Sequence, residues 1–274
     1  MNATSKLVKA WESKNAKNAA KAGGISLMAL SLAACGGSST TTTTSTDTST
    51  TTTTDAAQSF SMTDETNDFE GGSGADTFTG AVNTMSASDY IVGGEGADTL
   101  TVRMDADDAF GVIDGVETIT IYARGDNGGA ATSFVDVTGA TNVELINGNS
   151  NYDLADFSTA IDLKFTNADD DYTVAYTDLS GEADSQSVEM DGYEGAFIVG
   201  TTGLETVAIT LSGEASDATI TDHATATIES ITIAGSVDGE LTLAAATDAV
   251  TSISAATATG DLTLDVSGVT LDQD

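Results

Sequence analysis

The 274-residue chain contains no proline, one cysteine, one histidine and one tryptophan, and only 5% of its residues are aromatic. A single cysteine excludes an intramolecular disulfide, so the fold must be held by hydrogen bonds, packing or bound ions. The lone histidine, His223, has no second imidazole to complete the usual zinc or acid/base constellation and reads as a surface or turn residue. Without proline, every backbone N–H is free to enter a ladder. The shortage of aromatics argues against a large conventional core and favours small side chains stacked in thin layers. Basic residues are scarcest of all beyond Cys35, where only Arg103, Arg124 and Lys164 stand against 42 acids, a formal charge of −39. Such a surface repels nucleic acid and anionic lipid at long range, and favours cations, salty water or a basic partner. Nucleic-acid binding is thereby excluded. A lyase acting on acidic polysaccharide would lack the positive cleft it needs.

The remaining basic residues, Lys6, Lys9, Lys14, Lys17 and Lys21, precede the apolar run from Ile25 to Ala34. A charged segment followed by about ten apolar residues is too short to span a bilayer as a stable helix and reads as an export signal of the Sec type. Leu32-Ala33-Ala34-Cys35 resembles the lipobox of bacterial lipoproteins, which implies cleavage before Cys35, lipidation of its thiol and a membrane anchor on the outer membrane or cell surface. From Gly36 to about Asp64 the composition collapses to Thr, Ser, Gly and Asp, including Thr40 to Thr44 and Thr50 to Thr54. A stretch of that kind buries too little apolar surface to offset its ordering entropy and is expected to be a disordered spacer. The expected organisation is therefore a signal peptide over 1–34, a lipidated tether over 35–66 and an acidic repetitive β domain over 67–274.

In the third segment, brief alternating strands are separated by Gly, Asn and Asp turns. One phrase recurs: Gly115-Val116-Glu117-Thr118-Ile119-Thr120-Ile121, Gly203-Leu204-Glu205-Thr206-Val207-Ala208-Ile209 and Thr227-Ile228-Glu229-Ser230-Ile231-Thr232-Ile233. Weaker copies lie at residues 142–146, 161–165, 241–243 and 262–266, and residues 262–270 resemble a coil cut short. Intervals of roughly 20 to 27 residues, or fractions of them, point to an all-β parallel solenoid in which each coil buries its apolar side chains against the coils above and below. An antiparallel β-sandwich is the alternative that the same short strands permit. Strict alternation puts Glu117 on the face of Ile119, so Glu117 is expected at a corner, within reach of solvent or an ion.

Two segments are more specific: Gly71-Gly72-Ser73-Gly74-Ala75-Asp76-Thr77-Phe78-Thr79 and Gly93-Gly94-Glu95-Gly96-Ala97-Asp98-Thr99-Leu100-Thr101. Both fit GGxGxDxUx, the nonapeptide of the RTX calcium-binding β-roll. Calcium takes six to eight oxygens, and a glycine-rich turn exposes carbonyls while the Asp side chain brings charge. The candidate Ca2+ ligands are Gly72, Gly74, Asp76, Gly94, Gly96 and Asp98. In a true β-roll the nonapeptides follow without a gap, whereas here their starts are 22 residues apart. A coil of that length would lay Asp76 over Asp98 in one shared site. Residues 67–270 resemble RTX-related bacterial surface-layer and adhesin-like proteins, with strands such as Thr99-Leu100-Thr101-Val102 beside the glycine motifs. Such relatives usually use a C-terminal export signal, and this chain departs from them in carrying an N-terminal leader.

The resemblance implies a non-enzymatic surface protein that self-associates in a layer or matrix; the alternatives are an adhesin for a glycan or other cell-surface ligand and, less favoured, an extracellular hydrolase or lyase. Arg124-Gly125-Asp126 reads as a chance tripeptide in a loop. Asp107-Asp108 and Asp169-Asp170-Asp171 read as solvated loops. No carboxylate pair is singled out for glycoside hydrolysis.

Overall fold

The computed structural model describes residues 56–105, 108–123, 132–148, 153–177, 179, 181, 183–223, 225, 227–244 and 249–269. The segment read as an export leader, Cys35, most of the span read as a tether, Asp107, Arg124-Gly125-Asp126 and Thr270 lie outside them. From the amino end the chain runs through β1 (Ser59–Ser61), β2 (Asp68–Gly72), β3 (Thr77–Gly80), β4 (Tyr90–Gly94), β5 (Thr99–Met104), β6 (Val112–Asp114) and β7 (Thr118–Ala123). It continues through β8 (Thr132–Ser133), β9 (Val137–Thr138), β10 (Asn142–Ile146), β11 (Leu154–Phe157), β12 (Asp162–Thr166), β13 (Tyr172–Tyr176) and β14 (Ser185–Asp191). The last coils hold β15 (Glu194–Val199), β16 (Thr206–Leu211), β17 (Ser216–Thr221), β18 (Ser230–Gly235), β19 (Gly239–Leu243), β20 (Ser252–Ala258) and β21 (Leu262–Asp265).

All ladders between these strands are parallel, which makes the domain a β-solenoid and rules out the antiparallel sandwich. Ten strands form the long sheet, in the order β1-β3-β5-β7-β10-β12-β14-β16-β18-β20. The second side of the coil changes hands along the domain. In the first coils it is a four-stranded sheet, β2-β4-β6-β9, and from β8 onward a seven-stranded one, β8-β11-β13-β15-β17-β19-β21. The coil containing β8 and β9 contributes to both. The β unit also starts inside the span read as tether: Ser59–Ser61 pairs with Thr77–Thr79, and the ring of Phe60 stacks on Phe78 at 4.9 Å. A Thr/Ser-rich composition hid the one aromatic that ties this strand down.

Period-2 alternation explains the core. Phe78, Leu100, Ile119, Val143, Leu163, Val188, Ile209 and Ile233 stand in register across eight strands of the long sheet, all buried. Burying each such side chain stabilises by about 1.5–3 kcal/mol, and no disulfide is needed to supplement the sum. Intervals between register partners vary, as in Thr77 to Thr99 to Thr118 to Asn142, while the register itself holds. Corners absorb the difference. Asn147 and Asn167, with φ of 51° and 47°, turn the chain out of β10 and β12, at a conformation that asparagine tolerates better than most residues.

Candidate functional site

The recurring Glu phrase bends at its corner. Val116, Leu204 and Ile228 are buried, as are Ile119, Val207 and Ile231, although strict alternation would send the two groups to opposite faces. The strand begins only at Thr118, Thr206 or Ser230, so the Glu before it stands at the bend between two buried apolar residues. There Glu117 Oε2 accepts the backbone N–H of Asp98 at 2.7 Å, and Glu205 Oε2 accepts that of Asp184 at 2.7 Å. The corner placement expected of Glu117 therefore holds, and its partner is a backbone N–H of the preceding coil.

The two nonapeptides lie one above the other. Gly72 pairs with Gly94 and Thr77 with Thr99, so Asp76 falls directly beneath Asp98. The same corner hydrogen bond runs through them: Asp76 Oδ1 accepts Gln58 N at 2.6 Å, and Asp98 Oδ1 accepts Asp76 N at 2.6 Å. Gln58, Asp76, Asp98 and Glu117 thus form one ladder, each carboxylate holding the N–H of the residue one coil earlier. Glycine is required on the facing strand because Asp76 Oδ2 and the carbonyl of Gly93 occupy the place of a Cβ on Gly71. Asp98 Oδ2 and the carbonyl of Gly115 do the same at Gly93. Gly94 and Gly96, at φ of 105° and 132°, need the backbone freedom of glycine as well, each crowded by a carbonyl, of Gly72 and Gly74 respectively.

One oxygen of each aspartate is left over. Asp76 and Asp98 are both fully buried, and their Oδ2 atoms have no hydrogen-bond partner. A buried acceptor without a partner is costly, and a buried charge without one costs more. Burial pushes the Asp98 carboxyl above its ordinary value of 3.8, with the carboxylates of Glu117 and Asp76 adding to the rise and the hydrogen bond from Asp76 N opposing it. Two orphaned carboxylate oxygens in consecutive coils, lined by glycine carbonyls, are a donor set suited to a hard cation such as calcium. Among the described residues no group of three or more acidic, imidazole or thiol side chains gathers to hold a metal, so a cation here would depend on backbone oxygens.

The other sequence candidates resolve into structure. Asp171 is exposed; its Oδ1 accepts Ala196 N at 2.8 Å and so ties one coil to the next. Asp108 Oδ2 closes a turn by accepting Asp105 N at 2.8 Å. His223 directly follows the buried Asp222, whose carboxylate accepts the backbone N–H groups of His223, Thr227 and Ile228. Asn67 and Asp89, which no motif marks, are buried one above the other: Asp89 Oδ1 accepts Asn67 N at 2.8 Å, and its other oxygen accepts Ser86 N at 2.7 Å. The signal for them was positional, since each precedes a strand by one residue. In comparisons with known proteins, no family model, no curated protein and no solved structure matches the chain.

Proposed function

We propose that the chain is a non-enzymatic surface structural protein, anchored by lipid on Cys35 and locked by calcium, whose β-solenoid associates with further copies in a surface layer or matrix. The observation that carries this reading is the pair of buried, unpartnered oxygens on Asp76 and Asp98 in stacked glycine corners. Calcium would be held by these carboxylates and by carbonyls of Gly72, Gly74, Gly94 and Gly96. It would supply the positive charge that a corner ringed by Asp76, Asp98 and Glu117 lacks.

The formal charge of −39 beyond Cys35 supports the same reading, since copies so charged approach one another only when cations screen or bridge them. Thermal melts and electron microscopy of the full chain, with calcium and with chelator, test it. A melting temperature that rises with calcium, and ordered assemblies that disperse on chelation, are expected. Identical melts would remove the calcium lock, and monodisperse particles in both conditions would remove the assembly.

A further inference from the structure

Outside the acid corner, the outward face of the first four strands of the long sheet carries two unbroken columns of hydroxyl residues. Ser59, Thr77, Thr99 and Thr118 stand in register as one column, and Ser61, Thr79, Thr101 and Thr120 as the next. Between the columns Phe60, Phe78, Leu100 and Ile119 point inward, so the eight hydroxyl residues share one face. None of these positions is ionisable, in a region where 42 acids face three basic residues. Arg103 borders the patch on β5, and the run of hydroxyls ends at β10, where Asn142 and Glu144 continue the two columns, followed by Asp162 and Lys164 on β12. From β16 to β20 the columns are uncharged again but mix alanine with hydroxyls, as Ala208, Thr232 and Ser254 and as Thr210, Ala234 and Thr257, so the first four strands alone form a run with a hydroxyl at every position.

We propose that this face binds an ordered, uncharged lattice of water: the surface of ice. Parallel strands set the columns' repeat at about 4.8 Å along the solenoid, and alternate residues on a strand lie about 6.6 Å apart. The result is a near-rectangular grid of hydroxyls and methyls, with repeats close to those of water oxygens on the prism faces of ice. Single contacts of this kind are weak, and they sum only against a partner that repeats on the same grid. Threonine suits the task because its branched Cβ restricts χ1, so little rotamer freedom is lost on contact. Hydroxyls of Thr79, Thr99, Thr101, Thr118 and Thr120 make no side-chain hydrogen bond among the described residues, and Thr77 Oγ1 donates along its column to Ser59 Oγ at 2.9 Å. The absence of charge is the complementary property. A carboxylate would hold its own hydration shell and disturb the lattice, which is the condition of the surrounding acidic surface.

Nanolitre osmometry on the full chain tests the proposal. A freezing point below the melting point, with faceted crystals, is expected from the native protein. Thr99→Tyr combined with Thr101→Tyr breaks the grid with residues that suit a strand, and it is expected to abolish both effects while circular dichroism stays native. Thr219→Tyr, on the seven-stranded sheet, is expected to leave them intact. Should the double variant lose its strand signal, Thr101→Lys takes its place. Round crystals freezing at the melting point with native protein, or faceting that survives in a folded grid variant, would overturn the proposal. Retention on crystalline chitin without any effect on ice would overturn it too, in favour of a glycan lattice. Chelator melts remain a separate readout, so failure here leaves the calcium lock standing.

Discussion

At the scale of single residues, the acid corner makes two demands that differ in kind. Gly93 is a packing demand. A methyl there would collide with the carbonyl of Gly115, which is backbone and cannot swing aside, and with Oδ2 of the buried Asp98. Gly93→Ala is expected to cost at least the ~1–3 kcal/mol typical of overpacking, read as a lower urea midpoint. Asp98 is an electrostatic demand. Its carboxyl is raised by burial, so in the folded chain it takes up a proton at a pH where the unfolded chain does not. The contribution of a raised carboxyl is present below its folded pKa and is lost as pH rises through it. In chelator, the urea midpoint is therefore expected to climb as pH falls from neutral toward the ordinary carboxylate value, and Asp98→Asn is expected to flatten that climb and to weaken the response to calcium. The motif itself was plain in the sequence, as was the stacking of Asp76 on Asp98. What the sequence did not disclose is the use of Glu117 as the next rung, because its role depends on a bend that places both Val116 and Ile119 inside.

At the scale of strands, the recurring phrases were legible because each carries its apolar residues at period 2 between turn residues. Residues 115–121, 203–209 and 227–233 all contribute to one sheet, as do the weaker copies at 142–146 and 161–165. Residues 241–243 and 262–266 resemble them but belong to the other side of the coil, in β19 and β21. Side-chain pattern alone cannot separate two buried faces of one coil. The change from a four-stranded to a seven-stranded second side was equally hidden, since it turns on two-residue strands, β8 and β9. Ile119 stands inside the apolar column of the long sheet, with Leu100 and Val143 as neighbours. Ile119→Ala is expected to destabilise by about 2–5 kcal/mol in chemical denaturation, the range for emptying a packed core position. By contrast β20 and β21 are the last strands of their sheets among the described residues, and Ile253, Leu262 and Leu264 there are only half-buried. Hydrogen exchange is expected to be faster in these strands than in β5 and β7, following the thinner packing.

At the scale of the whole molecule, stability is a sum of coils and of the interfaces between them. The formal charge of −35 opposes that sum everywhere. Raising monovalent salt from about 0.01 M to 0.15 M shortens the screening length from about 30 Å to about 8 Å. The melting temperature is expected to rise with it in a differential scanning experiment even in chelator, by repulsion relieved across the surface and with no specific site filled. The constancy of register has a consequence of another kind, for how such a gene can change. Thr206 faces Ser230, and Asp217 faces Glu240, so β14 and β18 present matching edges to β16, as β15 and β19 do to β17. Excision of Thr206 through Glu229 would bring Ser185 against Ser230 and Phe197 against Leu243, closing the gap with like against like. Such a protein is expected to unfold cooperatively and only slightly below the native melting temperature, whereas removal of β16 alone would throw the following strand to the wrong side. Length is thus a quantity that this molecule can gain or lose by whole turns, much as a screw is cut to size without changing its thread.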